Sequence, residues 1–293
     1  MVWGRQRIPS ALANDYAYCQ DIVRANYENF PVGSLLAPAR IRHHLHAVYA
    51  FARLADDIAD TNGSDDDEKL TRLDEWERRL DEALHGRADH PIFRALGHTL
   101  RETGLSPEPL RNLLVAFRMD VTNKQYETLE ELFLYCRYSA NPVGRIVLHF
   151  GGYSDAGRLA QSDAICTALQ LTNHWQDLSE DPWMGRPLYL PRQEMSRFGV
   201  AEETIRQRRF SPAVAELMLH LIDETRRLYR EGEPLLKQVS WPLNLELSVI
   251  WSGGMAVLEQ IEAMGGNTLR QRPSLDTRAK MGCLLRGLGK VCS

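Results

Sequence analysis

Four polar side chains between positions 49 and 60 are spaced so that they would share one face of a helix. They are Tyr49, Arg53, Asp56 and Asp60, at positions i, i+4, i+7 and i+11. Asn62-Gly63 follows and is typical of a helix end, so Asp60 would lie in the last turn. Carboxylates in that turn oppose the helix dipole and repel each other. The pattern therefore indicates that a cation offsets them.

A second acidic stripe lies between positions 170 and 181. It consists of Gln170, Asn173, Asp177 and Asp181, at positions i, i+3, i+7 and i+11, with Glu180 beside them. Pro182 disfavours helical geometry at the residue before it. We therefore expect a single helix over 155–181 that ends directly after its acids.

Stacked carboxylates at two helix ends suit Mg²⁺ chemistry. Mg²⁺ takes hard oxygen ligands, commonly one or two carboxylates together with substrate phosphates and waters. One Asp-x-x-x-Asp pair alone is usually a solvated helix face, and Arg53 has the alternative of an intrahelical ion pair with Asp57. Two such stripes, each accompanied by an amide or an arginine, favour a magnesium and diphosphate site.

The segment 182–191 after the second stripe contains a glycine and three prolines, which indicates a turn-rich loop. Its Arg186 has a guanidinium that can bind a phosphate through two N–H groups. The alternative is an ordinary surface arginine.

Helical periodicity runs through nearly the whole chain, and no segment shows sustained strand alternation. The sequence therefore predicts an all-α protein. The predicted helices are at about 10–29, 38–62, 67–85, 89–104, 107–123, 128–150, 155–181, 200–207, 211–234, 236–264 and 275–290. The expected N-caps are Ser10, Ser106, Thr128 and Ser211.

Composition narrows the class of protein. The chain has 293 residues, 44% of them hydrophobic, which is enough for one large core. The net charge is −4 with acids and bases interspersed, so no nucleic-acid partner is expected. The five cysteines lack metal-finger spacing, and neither a signal peptide nor a membrane span is evident. We expect a cytoplasmic protein; its oligomeric state is left open.

The paired motifs, in this order, resemble those of the squalene/phytoene synthase family. Residues 49–60 resemble its first aspartate-rich motif, residues 170–181 its second, and residues 185–191 the loop that follows. Residues 126–136 resemble the tyrosine-containing region between them. The resemblance covers about 15–265. It implies a single isoprenoid-synthase domain over 1–293, a helical bundle whose two stripes face each other across a central cavity.

The same resemblance implies the site residues, with Mg²⁺ ions bridging the stripes to the substrate diphosphate. The expected metal ligands are Asp56, Asp57, Asp60, Asn173, Asp177 and Asp181. The expected substrate-binding residues are Phe30, Ser34, Arg53, Gln170, Arg186 and Tyr189. The expected catalytic residues are Tyr49, Arg53, Tyr135 and Asn141. Aromatic faces would stabilise a carbocation; for each ring the alternative is packing in the core.

Two departures from the family pattern point to its hydroxysqualene synthase branch, which is linked to hopanoid synthesis. Asn141-Pro142 replaces a small apolar element, and Gln176 stands where members usually carry arginine. The branch implies that presqualene diphosphate ionises to a carbocation. A water that Asn141 holds would capture this cation and give hydroxysqualene. One alternative is a squalene, dehydrosqualene or phytoene synthase that joins two prenyl diphosphates such as farnesyl diphosphate. Another is a non-catalytic assembly factor of the same fold.

The stretch 275–290 predicts a basic amphipathic helix. Met281, Leu284, Leu285, Leu288 and Val291 share one face, with Arg286 and Lys290 off it. Either this face packs onto the bundle, or the helix makes a peripheral contact with the inner membrane surface.

His43, His44 and His46 lack an acidic partner at ligand spacing, so we predict that they are histidines of the core or of the solvent-exposed surface.

Overall fold

The computed structural model describes residues 8–26, 38–61, 64–122, 125–180 and 187–292. For residues 291 and 292 it describes the backbone alone. The described residues contain a short 3₁₀ helix, Ser10–Leu12, and fourteen α-helices. The helices are α1 Ala13–Ala25, α2 Ala39–Ala59, α3 Asp66–Leu84, α4 Pro91–Thr103, α5 Glu108–Thr122, α6 Leu129–Ser139, α7 Asn141–Gly151, α8 Ala156–Gln176, α9 Arg192–Arg197, α10 Glu202–Arg206, α11 Pro212–Gly232, α12 Leu235–Gln238, α13 Leu243–Ala263 and α14 Thr277–Cys292. Within the described ranges an isolated bridge between Gln125 and Leu188 is the one β-type pairing, which confirms the all-α prediction.

The described residues belong to two compact units. The first takes its residues from Met1–Thr122 and Ile146–Tyr153, and the second from Asn123–Arg145 and Ser154–Ser293. A single domain over 1–293 remains a prediction. No helix in the described part of the chain is both long and apolar enough to cross a membrane.

In the first unit, α2 packs against α1, α3, α4 and α5, and its apolar face supplies much of the core. Phe51 lies at the centre, fully buried, with ring centroids 6.0 Å from those of both Trp76 and Phe93. A buried carboxylate, Asp15 of α1, accepts two hydrogen bonds from Arg94 of α4, at 2.9 and 2.6 Å. These contacts fix the helix that carries the first stripe.

A cluster of histidines lies on the same unit. His44 is almost fully buried, and its Nδ1 lies 2.9 Å from the Thr99 hydroxyl. Tyr16 brings its phenol within 2.8 Å of His98 Nδ1. Burial lowers the pKa of His43 to about 4 and that of His44 to about 3, and neighbouring histidines add to both shifts. The structure thus places His44 and His46 in the core, which is one of the two predicted locations.

In the second unit, α8 packs mainly against α11, α13 and α6. The fully buried Trp175 donates its indole N–H to Thr225 Oγ1 at 2.8 Å. Tyr229 meets Thr172 by its hydroxyl at 3.1 Å, and that ring leaves no space for a Cβ at Gly254. The helix that carries the second stripe is therefore held by polar contacts inside an apolar core.

Several predicted helix boundaries were wrong, and prolines account for two of them. The predicted helix over 128–150 is two helices that meet at Ala140, because Pro142 lacks an N–H and suits a new helix start. The predicted helix over 236–264 is interrupted before Pro242 for the same reason. The predicted helix over 155–181 ends at Gln176. The short helix α9 was not predicted.

The predicted caps have mixed outcomes. Thr128, Ser211 and Ser106 each accept a hydrogen bond from a backbone N–H at the start of a helix, at 3.1, 3.3 and 3.2 Å. The cap at Ser10 was wrong, because that residue begins the 3₁₀ helix and makes no side-chain cap bond there.

Candidate active site

The first stripe forms as predicted at the C-terminal end of α2. Asp60 is the C-cap residue, and its backbone N–H donates to the Asp56 carbonyl at 2.9 Å. The Thr61 hydroxyl donates to the Asp57 carbonyl at 2.7 Å, so a side chain satisfies one of the last carbonyls of the helix. The carboxylates therefore sit on a helix end that is well defined.

Arg53 pairs with both neighbouring carboxylates. Its guanidinium donates to Asp57 at 2.5 Å and, less closely, to Asp56 at 3.5 Å. All three side chains are about 40% exposed, so water and an incoming anion can reach them. The intrahelical ion pair with Asp57 is thus present. Arg53 Nε is buried and has no hydrogen-bond partner.

Tyr49 lies one turn before Arg53 and is anchored to α1. Its phenol donates to the Asn26 carbonyl at 3.2 Å. Burial raises the pKa of Tyr49; Arg53 opposes the shift, and Asp56 and Asp57 add to it. The phenol is therefore protonated at neutral pH and acts as a donor.

The second stripe is split by the end of α8. Gln170 and Asn173 lie on the helix, whereas Asp177 is its C-cap residue, with its N–H bonded to the Asn173 carbonyl at 2.8 Å. The chain then turns through 178–180, where Leu178 and Ser179 are buried and Arg208 donates to the Ser179 carbonyl at 2.8 Å. The expectation that the helix continues to Asp181 was wrong, because these contacts favour the turn.

An arginine that the sequence reasoning missed contacts this helix end. Arg272 Nε forms a short ion pair with Asp177 and lies 3.8 Å from Glu180. It belongs to the segment between α13 and α14, 95 positions along the chain from Asp177. Its place in a run of arginines, Arg270 and Arg272, was the available signal.

Gln176 anchors the same segment. The side chain is 7% exposed, and its amide donates to the Pro273 carbonyl at 2.5 Å. Gln176 and Asp177 therefore both hold residues 272–273 against the end of α8. The arginine usual in the family would have to displace this contact.

Tyr135 and Tyr189 belong to a buried aromatic cluster. Its members are Tyr126, Tyr135, His174 and Tyr189, each at most 7% exposed. The His174 and Tyr189 rings are stacked 3.8 Å apart, and the Tyr135 ring centroid lies 5.4 Å from that of Tyr189. The pairing of segment 125–127 with 188–193 brings these rings together, through bonds such as Arg192 N–H to the Tyr126 carbonyl at 3.0 Å. His174 was not predicted as a member.

Asn141 starts α7 and points into the protein. It is 7% exposed, and its Oδ1 accepts a hydrogen bond from the Thr167 hydroxyl of α8 at 3.0 Å. One polar atom of Asn141 is therefore already engaged within the protein.

Four predicted site residues lie outside the described part of the chain: Phe30, Ser34, Asp181 and Arg186. Of the remaining ones, Tyr49, Arg53, Asp56, Asp57 and Asp60 lie together at the end of α2. Gln170, Asn173 and Asp177 lie together at the end of α8.

The donor sets fit Mg²⁺ as a partner shared with a phosphate. Among the described residues, no group of three or more His, Cys, Asp or Glu side chains is arranged as a metal site. A complete protein cage is not what Mg²⁺ requires, since it commonly binds one or two carboxylates plus substrate phosphates and waters. Half-exposed carboxylates such as Asp56 meet that requirement.

Comparisons with known proteins identify the relatives of this chain. The model of the squalene/phytoene synthase family matches residues 23–279. A hydroxysqualene synthase of Rhodopseudomonas palustris is 41% identical over 76% of this chain and 75% of its own length. A hydroxysqualene synthase of Sinorhizobium fredii is 36% identical over 91% of this chain and 88% of its own.

Solved structures match the fold. A squalene synthase of Alicyclobacillus acidocaldarius superimposes with a TM-score of 0.84 at 40% identity, covering 89% of this chain and 97% of the other. A dehydrosqualene synthase solved with a ligand gives 0.82 at 26% identity, covering 95% and 97%. These matches confirm the predicted isoprenoid-synthase fold.

Proposed function

Since this chain belongs to the squalene/phytoene synthase family, we propose that it converts presqualene diphosphate and water to hydroxysqualene and diphosphate. The family consists of prenyl synthases, so the chain is an enzyme rather than a non-catalytic assembly factor. The observation that carries the choice of product is the similarity, at 41% and 36% identity, to two enzymes named hydroxysqualene synthase.

The carboxylates at the two helix ends support the diphosphate part of the proposal. Asp56, Asp57 and Asp60 at the end of α2 would hold Mg²⁺, as would Asn173 and Asp177 at the end of α8. Mg²⁺, when bound, supplies positive charge to the leaving diphosphate. Asp181, outside the described residues, is proposed as a further ligand on its motif position alone.

Arg53 is proposed to bind the leaving group as well. Its guanidinium is divided between two half-exposed carboxylates, and the contact with Asp56 is long at 3.5 Å. If those carboxylates bind cations, the guanidinium can turn to phosphate oxygens through a charge-assisted hydrogen bond. Arg272 is placed to make the same exchange at Asp177. Both arginines would then stabilise the charge that develops as the carbon–oxygen bond breaks.

The aromatic cluster supports the handling of a carbocation. Tyr135 and Tyr189 are buried aromatic rings whose centroids lie 5.4 Å apart, and the faces of aromatic rings attract cations. His174 stacks on Tyr189 and fixes its plane. We assign Tyr135 to cation stabilisation and His174 to positioning.

Water capture ends the reaction in this proposal. The cation formed on loss of diphosphate rearranges, a water oxygen bonds to carbon, and the water proton passes to solvent or to diphosphate. Asn141 is assigned to hold that water, because its side-chain amide can donate a hydrogen bond to the water oxygen. Its Oδ1 is occupied by Thr167, so the side-chain N–H₂ is the group assigned to water.

The test is product identification with two substrates. The purified chain is incubated with Mg²⁺ and either presqualene or farnesyl diphosphate, without NADPH, and the extract is analysed by mass spectrometry. Hydroxysqualene from presqualene diphosphate, abolished by EDTA, is expected. Dehydrosqualene from farnesyl diphosphate, or squalene once NADPH is added, would instead assign the chain to the condensing enzymes of the family.

A further inference from the structure

Helix α14 packs against α13 through small residues, not through its apolar face. Cys283 Sγ donates to the Ser252 carbonyl at 3.6 Å, and a Cβ added at Gly287 would meet Val249 Cγ2 at 2.8 Å. The predicted alternative that α14 packs onto the bundle is confirmed by its contact with α13, but the leucine face is not the face that packs. Close approach through Gly287 leaves the leucines free to face elsewhere.

Four large apolar side chains of α14 are exposed together, and we call them the α14 stripe. They are Met281, Leu284, Leu285 and Leu288, with relative exposures of 54%, 39%, 63% and 41%. Their spacing of i, i+3, i+4 and i+7 places them on one side of the helix. Scattered exposed leucines need no explanation, but a continuous apolar face marks an interaction surface.

The charges of α14 indicate what that surface meets. The helix contains Arg278, Lys280, Arg286 and Lys290 and no acidic residue. Arg286 and Lys290 pair with Glu259 and Glu233. Arg278 and Lys280 have no ion-pair partner in the part of the chain that the structure describes. At about 100° per residue they lie on opposite flanks of the α14 stripe.

We propose that α14 seats its apolar stripe in the surface of an anionic lipid bilayer. An interfacial helix buries its apolar face at the boundary between headgroups and acyl chains while flanking cations meet anionic headgroups. Sixteen residues of helix, about 24 Å, are long enough to lie in that plane. A second copy of the chain fits the same surface less well, since self-pairing would bring two acid-free cationic helices together.

Binding of the α14 stripe to a bilayer does not depend on which product the enzyme makes. Any family product is a water-insoluble hydrocarbon or alcohol, so a bilayer contact would shorten its way into lipid. Binding to vesicles can therefore be measured without turnover, and failure of one proposal leaves the other intact.

The test is co-flotation of the full chain with vesicles of phosphatidylcholine alone or with 30–40% phosphatidylglycerol, roughly the range in which surface charge is strong. Binding to the anionic vesicles that weakens as salt is raised is expected. Leu285→Glu should lower the bound fraction at least about tenfold, because it puts a charge into the apolar face. The Arg278→Gln/Lys280→Gln variant should lower it by about fivefold for each cation.

Matched variants separate docking from general effects. Leu219→Glu changes a leucine of α11 that is 37% exposed, and Arg209→Gln changes an exposed arginine; both variants should bind vesicles like the original chain. All variants should keep their helical circular dichroism and their turnover of detergent-dispersed substrate. Unchanged flotation of Leu285→Glu would overturn the proposal. So would a dimer in light scattering that this variant dissociates, because the occupant would then be a second copy.

Discussion

At the scale of single residues, the charged side chains of the first stripe form weak ion pairs that can be replaced by other partners. Arg53 pairs with Asp56 and Asp57 on a half-exposed helix end, where each ion pair contributes little to stability. Because little free energy is needed to separate these ion pairs, their members can change partners when a diphosphate and cations bind. We therefore propose that these residue types serve binding rather than folding.

Asp56→Asn tests the hypothesis that the carboxylates of the first stripe serve binding. Turnover should fall at least about 100-fold, because a charged oxygen that acts on the developing diphosphate is lost. The melting temperature should change by no more than about 3 °C, since exposed ion pairs are weak. Asp74→Asn is the control, because Asp74 is also a helical acid paired with an arginine, Arg118, and should leave turnover unchanged. A structural role would show the reverse, with loss of stability and normal turnover.

Asn141 is tested by comparing two substitutions at one hydrogen bond. Asn141→Leu removes both the contact with Thr167 and the N–H₂ group, and should shift the product from alcohol toward elimination hydrocarbons. Thr167→Val removes only the donor to Asn141 Oδ1 and should leave alcohol as the main product. Gas chromatography of the extracted products distinguishes the two. Equal product shifts in both variants would mean that Asn141 acts by joining α7 to α8.

At the scale of elements, the bodies of the helices followed from sequence and several of their ends did not. Periodicity is local, so α2, α5 and α11 were predicted to within a few residues. The end of α8 makes contacts such as that of Gln176 with Pro273, which lies 97 positions away in the sequence. Contacts of that range leave no periodic signal. The carboxylates of the site could be predicted because their spacing is a local pattern. Arg272 and the stacking of His174 on Tyr189 could not, because they depend on contacts between separate segments.

Gln176→Leu tests how the end of α8 is held. The substitution leaves the Pro273 carbonyl without its donor in a buried place, which costs about 1–3 kcal/mol of unfolding free energy. Urea unfolding followed by circular dichroism measures the loss. Gln207→Leu, at an exposed position on the chain, is the control and should change stability by less than about 0.5 kcal/mol. A Gln176→Leu variant as stable as the original would show that the contact contributes nothing.

At the scale of the whole molecule, the histidine cluster predicts how stability depends on pH. Burial lowers the folded-state pKa of His43 to about 4 and that of His44 to about 3, below the unfolded value of about 6.5. The unfolded chain therefore binds more protons, and the free energy of unfolding falls as the pH drops from about 6.5 toward 4. The slope reaches about 1.4 kcal/mol per pH unit for each histidine.

Urea titrations between pH 7.5 and 4.5 measure this slope. His43→Gln should make the dependence shallower by about one proton, whereas His85→Gln, which changes an exposed histidine, should leave it unchanged. Identical slopes in the original chain and in His43→Gln would show that His43 takes up its proton as readily in the folded chain as in the unfolded one, contrary to the burial argument.

For the reaction as a whole, we propose that water captures the cation formed from presqualene diphosphate. Reaction of presqualene diphosphate with the enzyme and Mg²⁺ in ¹⁸O-labelled water, without NADPH, measures this directly by mass spectrometry of the C30 product. We predict hydroxysqualene that carries the label, because its oxygen comes from solvent and not from phosphate. Unlabelled alcohol, or squalene formed only when NADPH is added, would contradict the claim.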